Sequence, residues 1–282
     1  MTPRAHNPLL LVWPALVLGC LLAAPLMLML AMSFWLRVPG GTYQPGLTLD
    51  NYRGLFTAFY GARVIWTLML AALVGLLSVV IAFPFTWLIC QMQARAQTLW
   101  LILILSTLSL SEVLIAFSWS VLLSRSAGVT NLLVAMGFMD APVALTPSGG
   151  ALMTGLVYVT LPYAVLVLYP ALSRFDRSLV EAAQSMGATP MRSFFGIVVP
   201  LCRPILAATF VLCVVFSLGA FVTPQVLGRP EHWTMAVMVT DAALQRANVP
   251  MAAAMAVALL LASLGFVFVS ARIAAGVRGT PA

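Results

Sequence analysis

Five stretches of this chain, Leu9–Leu36, Val64–Ala94, Ala141–Ser173, Pro204–Gly228 and Ala247–Ala271, contain no charged side chain at all. Each exceeds the roughly 20 residues that a helix needs to cross about 30 Å of hydrocarbon at 1.5 Å of rise per residue. A sixth, about Thr98–Leu123, is interrupted only by Glu112. A soluble fold is excluded: 62% of the residues are hydrophobic and 7% charged, and only lipid tolerates apolar side chains all round a helix. Trimmed by Pro, Gly and polar residues, the runs predict an all-α integral membrane protein. Its single transmembrane domain over 1–282 has six helices, at about 9–36, 64–90, 98–123, 150–172, 204–224 and 250–271. Pro14, Pro25, Pro84 and Pro162 fall inside these runs, which membrane helices accept because neighbours satisfy the freed carbonyls.

Arg4 precedes the first apolar run as it would in a secretory leader, but the run is far longer than an ordinary leader core and five more follow, so a retained span is expected. An even number of spans puts both termini on one side. Arginines then favour that side as the cytoplasm, by eight against six.

All 14 basic residues are arginine. A phosphate-binding loop of the GxxxxGK[ST] type needs a lysine to reach the nucleotide, so this chain has no such route to ATP hydrolysis. Cys20, Cys90, Cys202 and Cys213 lie in or beside spans without paired CxxC spacing, and His6 and His232 complete no metal-ligand set or Ser-His-Asp arrangement. No catalytic residue, no metal and no cofactor is expected in the chain. The net charge of +7 comes from arginines scattered at span ends, which needs no nucleic-acid partner.

One polar insert, 174–203, separates the fourth and fifth spans. Arg174, Asp176 and Arg177 bring the chain into water, and Ser178 with Glu181 has the S-x-x-E spacing of a capping box. Leu179, Ala183 and Met186 recur at helical spacing, and Gly187 suits the left-handed end of a helix. Thr189 and Pro190 then look like the N-cap and first residue of a second helix, with Phe194, Ile197 and Val198 on its apolar face until Pro200 and Pro204. The residues alone leave two readings: an amphipathic hairpin lying on lipid, or a docking element.

The same insert resembles the cytoplasmic EAA loop of bacterial ABC importer permeases, through Glu181, Ala182, Ala183, Gly187, Ile197 and Pro200, with Val199 where the family usually has Leu. Two further stretches, Leu47–Phe56 and Gly219–Gly228, resemble the spermidine/putrescine branch, and also relatives that handle ferric iron and other small solutes. The resemblance implies a type I importer permease of MetI-like fold in the bacterial inner membrane. It implies two copies of an ABC ATPase that bind ATP and Mg, a second and different permease chain, and an extracytoplasmic solute-binding protein. Small Ala182 and Ala183 would let the ATPase approach closely. The implied cargo is a polyamine, with ferric iron or another small solute as the alternative.

Glu112 is the ionisable group expected near the middle of its span. It either faces a translocation path or is held by a neighbouring helix. Thr107, Ser111 and Ser118 are expected on one stripe of the same helix, either lining the path or packing helices. Phe34, Trp35, Trp66, Trp100, Trp119 and Trp233 lie largely near span ends, as interfacial anchors do. The rival classes are a self-sufficient secondary transporter or channel with Glu112 as an ion relay, and a membrane scaffold that moves no solute.

Overall fold

A computed structural model describes residues 9–38 and 43–276. Arg4, His6 and Arg278, and with them both termini, lie outside the described residues. In chain order the helices are α1 (Leu9–Met32), α2 (Asp50–Leu55), α3 (Ala58–Gln91), α4 (Ala94–Leu108), α5 (Glu112–Leu122), α6 (Val129–Ala135) and α7 (Gly149–Ser173). They continue as α8 (Ser178–Ser185), α9 (Pro190–Ser193), a π-turn at Phe194–Val198, α10 (Val199–Leu201), α11 (Arg203–Gly219), α12 (Val222–Leu227), α13 (Met235–Thr240) and α14 (Val249–Gly276).

Among the described residues, three straight helices meet the length and hydropathy needed to cross a membrane: Ala58–Gln91, Gly149–Ser173 and the Val249–Ser270 part of α14. Two more reach that length as bent pairs, α4 with α5 at 95° and Pro190–Leu201 with α11 at 73°, and α1 is an apolar helix of 24 residues. Two of the six expected spans are thus bent pairs, not straight helices.

The break in the expected 98–123 helix has a local cause. Ser106 and Thr107 turn their hydroxyls back to Leu103 O and Ile104 O, at 2.7 Å each, and Ser109 reaches Leu105 O at 3.4 Å. Such bonds compete with the helical ladder. The ladder ends at Ser109, and Ser111 is extended at ψ 137° before α5 begins on Glu112.

The chain divides into two compact units. The smaller takes the residues up to Gly61 together with Met238–Leu260. Within it, Asn51 gives both amide protons to the carbonyls that α1 leaves behind, Ser33 O at 2.9 Å and Trp35 O at 3.0 Å. Tyr52 adds a 2.6 Å hydroxyl bond to Ser33 Oγ and a ring contact with Phe34 at 5.2 Å. The Leu47–Phe56 stretch thus works as a clasp on the end of α1, satisfying orphan carbonyls that lipid cannot.

The larger unit holds Ala62–Val237 and the chain from Leu261. On α3 the buried residues Leu70, Val74, Ser78, Ala82 and Thr86 follow four-residue spacing, whereas Ile65, Met69, Leu73, Leu76 and Val80 stay exposed. The exposed stripe is wholly apolar and the buried one mixes apolar residues with bonded hydroxyls, as expected where one faces lipid and the other protein. Ser78 and Thr160 join α3 to α7 by a buried 2.9 Å hydroxyl bond. One core cluster gathers Leu70, Val74, Leu152, Leu156 and Ala220; another gathers Ile89, Val165, Leu168, Leu172, Val198 and neighbours. Cys90, Cys202 and Cys213 are buried free thiols that pack in the second cluster, and Cys20 is exposed.

Candidate coupling hairpin and translocation cavity

The polar insert folds as two short helices with a defined turn. Its first cap differs from the expected one. Asp176, not Ser178, occupies the capping role: Asp176 Oδ1 accepts the Ser178 backbone N–H at 3.0 Å, and no capping box forms between Ser178 and Glu181. The shorter Asp side chain, two residues upstream, reaches the orphan amide by a local Asx-type bond, which leaves the Glu181 carboxylate unengaged among the described residues. The Ser178 hydroxyl and backbone N–H together hold the Asp176 carboxyl below its ordinary range.

The far end of α8 is a Schellman turn. Gly187 has φ +91°, its N–H reaches Gln184 O at 2.9 Å, and Ala188 N–H reaches Ala183 O at 3.0 Å. Thr189 Oγ1 then accepts Arg192 N–H at 3.3 Å and Pro190 takes the first helical position, as the sequence predicts.

The periodicity leaves open which face points inward, and the core decides it. Leu179 (46% exposed) and Met186 (84% exposed) look outward, while Val180, Phe194 and Val199 pack on the core. The reason is aromatic: Phe194 sits against Phe83 at 5.3 Å and Trp87 at 6.2 Å, and Trp87 meets Phe175 edge-on at 5.5 Å. These rings set the rotation of the hairpin. Arg177 also donates from Nη2 to Cys90 O near the end of α3. Of the six residues expected to dock, Glu181, Ala182 and Gly187 are exposed, and Ala183, Ile197 and Pro200 are half-buried. The outward surface is thus one acid, small residues and an exposed methionine, on a base tied into the core.

Loss of the Asp176 cap gives a measurable pH effect. A carboxylate held low in the folded state stabilises above its ordinary range, and that contribution disappears as pH falls through the lowered value. Asp176→Ala is expected to speed amide exchange at Ser178–Glu181 at neutral pH. The difference from wild type should vanish in acid.

The second candidate site lies at the 95° break. Glu112 stands not in mid-span but in the first turn of α5, where the helix dipole favours a negative charge. Its Oε1 accepts the Thr223 hydroxyl at 3.0 Å and the Thr223 backbone N–H at 3.4 Å. Thr223 is buried and belongs to α12, inside the Gly219–Gly228 stretch, so that stretch acts as a holder for Glu112. Beside them is a cavity of about 130 Å³. Thr107, Glu112, Tyr158, Tyr163 and Phe216 contribute to its walls.

The expected stripe of Thr107, Ser111 and Ser118 is not formed. Thr107 ends up in α4, Ser111 in the break and Ser118 on α5, the last two exposed, and only Thr107 borders the cavity. Tyr158 and Tyr163 escape sequence reasoning. Their one legible signal is a pair of phenols inside an apolar run, away from its ends. Several aromatics expected as anchors have protein partners: Trp66 Nε1 donates to His232 O at 3.1 Å, Trp100 meets Phe85 at 5.5 Å and Trp119 meets Tyr158 at 5.5 Å.

No family model matches the chain. It is 28% identical over 247 residues, 86% of each sequence, to the spermidine/putrescine transport system permease protein PotB of Haemophilus influenzae. It is 29% identical over 285 residues, 94% of this chain and 90% of the other, to the inner membrane ABC transporter permease protein YdcU of Escherichia coli. Its fold matches a bacterial alginate ABC transporter solved in complex with a periplasmic protein carrying an alginate pentasaccharide, at TM-score 0.78 and 18% identity, over 96% of this chain and 95% of that one. The chain is thus similar, over most of its length, to permease proteins of ABC importers. The MetNI methionine ABC transporter, in inward-facing conformations, matches over 77% of this chain and 94% of that chain at TM-score 0.58 and 18% identity. Any function for the chain has two features to explain, a capped hairpin and a carboxylate at a helix break.

Proposed function

We propose that this permease is one membrane-spanning half of an ATP-driven importer that receives a polyamine from an extracytoplasmic binding protein. The observation that carries the reading is the hairpin: a polar, fully capped element with Glu181 and Met186 exposed, anchored by Phe194 and Arg177 to an otherwise apolar chain. An ATPase seated there would move the core with it. On this reading the hairpin and both termini are cytoplasmic, two ATPase copies bind ATP and Mg, and the chain itself performs no chemistry. A related but different permease supplies the other half of the path. The polyamine assignment is supported by relatives named for spermidine and putrescine and by the acid-and-aromatic cavity. A ferric-ion cargo has less support, because no group of three or more metal-ligating side chains occurs among the described residues.

The test is purification and uptake. The permease is expected to co-isolate with an ABC ATPase, and vesicles holding the complex should take up labelled spermidine only with ATP inside and binding protein outside. Uptake by this chain alone without ATP would replace the proposal with a secondary transporter. A cognate binding protein that holds no polyamine would retain the importer and reject the cargo.

A further inference from the structure

Glu112 uses one of its two oxygens. Oε1 takes both Thr223 donors, whereas Oε2 has no hydrogen-bond partner among the described residues and the carboxylate borders the cavity. No arginine lines that cavity. The cavity side of this carboxyl thus has no cationic partner among the lining residues, and the α5 and α12 first turns hold the other side.

The remaining walls suit a cation. Tyr163 and Phe216 stand with ring centroids 4.6 Å apart at 38°, and Tyr158 is braced by Trp119 at 5.5 Å and 69°. Braced rings present faces and edges at fixed positions, and their faces attract ammonium while repelling anions. Thr107 adds a directional feature. Its hydroxyl proton is already given to Ile104 O at 2.7 Å, so toward a ligand this oxygen can only accept. A carboxylate ligand would meet the Glu112 carboxylate and an acceptor-only hydroxyl. An NH₃⁺ group, with three donors and no acceptor, fits both.

The size selects among cations. About 130 Å³ is room for an ammonium and a few methylenes, not for a whole tri- or tetra-amine. A hard metal ion would need about six oxygen ligands, more than these walls offer.

We propose that this cavity is a subsite for one primary ammonium end of an alkyl polyamine, ion-paired to Glu112 Oε2, donating to Thr107 Oγ1 and resting on the Tyr158, Tyr163 and Phe216 rings. The inference rests on the polyamine-importer reading and names where, in this half of the path, the charge is held. Substrate thereby meets a fixed anion at a bend between helices instead of crossing bare hydrocarbon.

The test uses the whole transporter in vesicles with its binding protein, measuring labelled spermidine uptake and ATPase rate together. Glu112→Gln, nearly isosteric, is expected to lower uptake about tenfold or more while the ATPase still co-isolates. Tyr163→Leu is expected to raise the apparent KM several-fold, and by more than Tyr163→Phe, which keeps the ring. The two ring variants decide the matter if Glu112→Gln fails to assemble. Wild-type uptake with unchanged KM in Glu112→Gln and Tyr163→Leu overturns the subsite and leaves the importer standing. Equal losses in Tyr163→Leu and Tyr163→Phe overturn the ring contact. A wild-type complex that imports no polyamine overturns the underlying reading instead.

Discussion

Gly187→Val is expected to leave the permease inserted in the membrane and yet cut binding-protein-stimulated ATP hydrolysis by at least about tenfold. The backbone at Gly187 sits at φ +91°, where a β-branched residue costs more than the roughly 1–2 kcal/mol that any side chain pays in left-handed conformations. A Cβ there meets nothing within 4 Å, so the damage is purely conformational. Relief comes only by unwinding the Schellman turn, which frees Gln184 O and Ala183 O and turns α8 away from α9. The outward surface carrying Glu181 and Met186 then loses its fixed shape, while the core clusters of α3, α7 and α11 are untouched. Co-isolation of the ATPase should weaken in step with stimulation. Gly187→Asn, which tolerates positive φ better, should fall between wild type and valine. Wild-type stimulation in the valine variant would show that the turn has no part in docking.

The second large effect is at Gly155. A Cβ on this α7 residue would lie 2.5 Å from Leu227 Cδ1 and 3.0 Å from Thr223 Cγ2, both on α12. Leu227 and Thr223 are buried, so neither can swing aside without a void opening elsewhere. Gly155→Ala is expected to cost about 1–3 kcal/mol by overpacking. Its consequence is specific as well as general: pushing α12 away withdraws the two Thr223 donors from Glu112. The variant should therefore show a lowered melting temperature in detergent and a loss of uptake larger than that loss of folded protein explains. Gly265→Ala is the control, since nothing lies within 4 Å of a Cβ there, and it should be neutral or slightly stabilising. Equal stability of the two variants would mean that α7 and α12 do not pack as closely as the structure has them.

The positions of the apolar helices were legible because spanning a membrane needs a long uncharged run, and a run is a property of sequence alone. The hairpin was legible at Gly187, Thr189 and Pro190 for a related reason: each residue has one backbone state it favours far above its neighbours. What stayed hidden depends on competition between partners. Ser178–Glu181 has the spacing of a capping box, but Asp176 stands nearer the same amide. Hydropathy carried one helix straight through Ser109–Ser111, because a window average does not weigh hydroxyls that draw carbonyls out of the ladder. The periodicity of Leu179, Ala183 and Met186 fixes that a stripe exists but not which side the Phe83, Trp87 and Phe175 rings will accept. The cavity needed residues from α4, α5, α7 and α11 brought together, and no spacing within one helix encodes that.

Phe194, wedged between Phe83 and Trp87, has a mechanical consequence. A ring held on two sides leaves no slack between the hairpin and the end of α3, so the hairpin behaves as a stiff lever, not a tether. Flexing must then be taken up where backbone bonds are already spared, at the 95° bend before Glu112 and the 73° bend before Arg203. On the proposed reading these two bends are the joints that give when an ATPase pushes the hairpin, and one of them carries the acid that holds the cargo's charge.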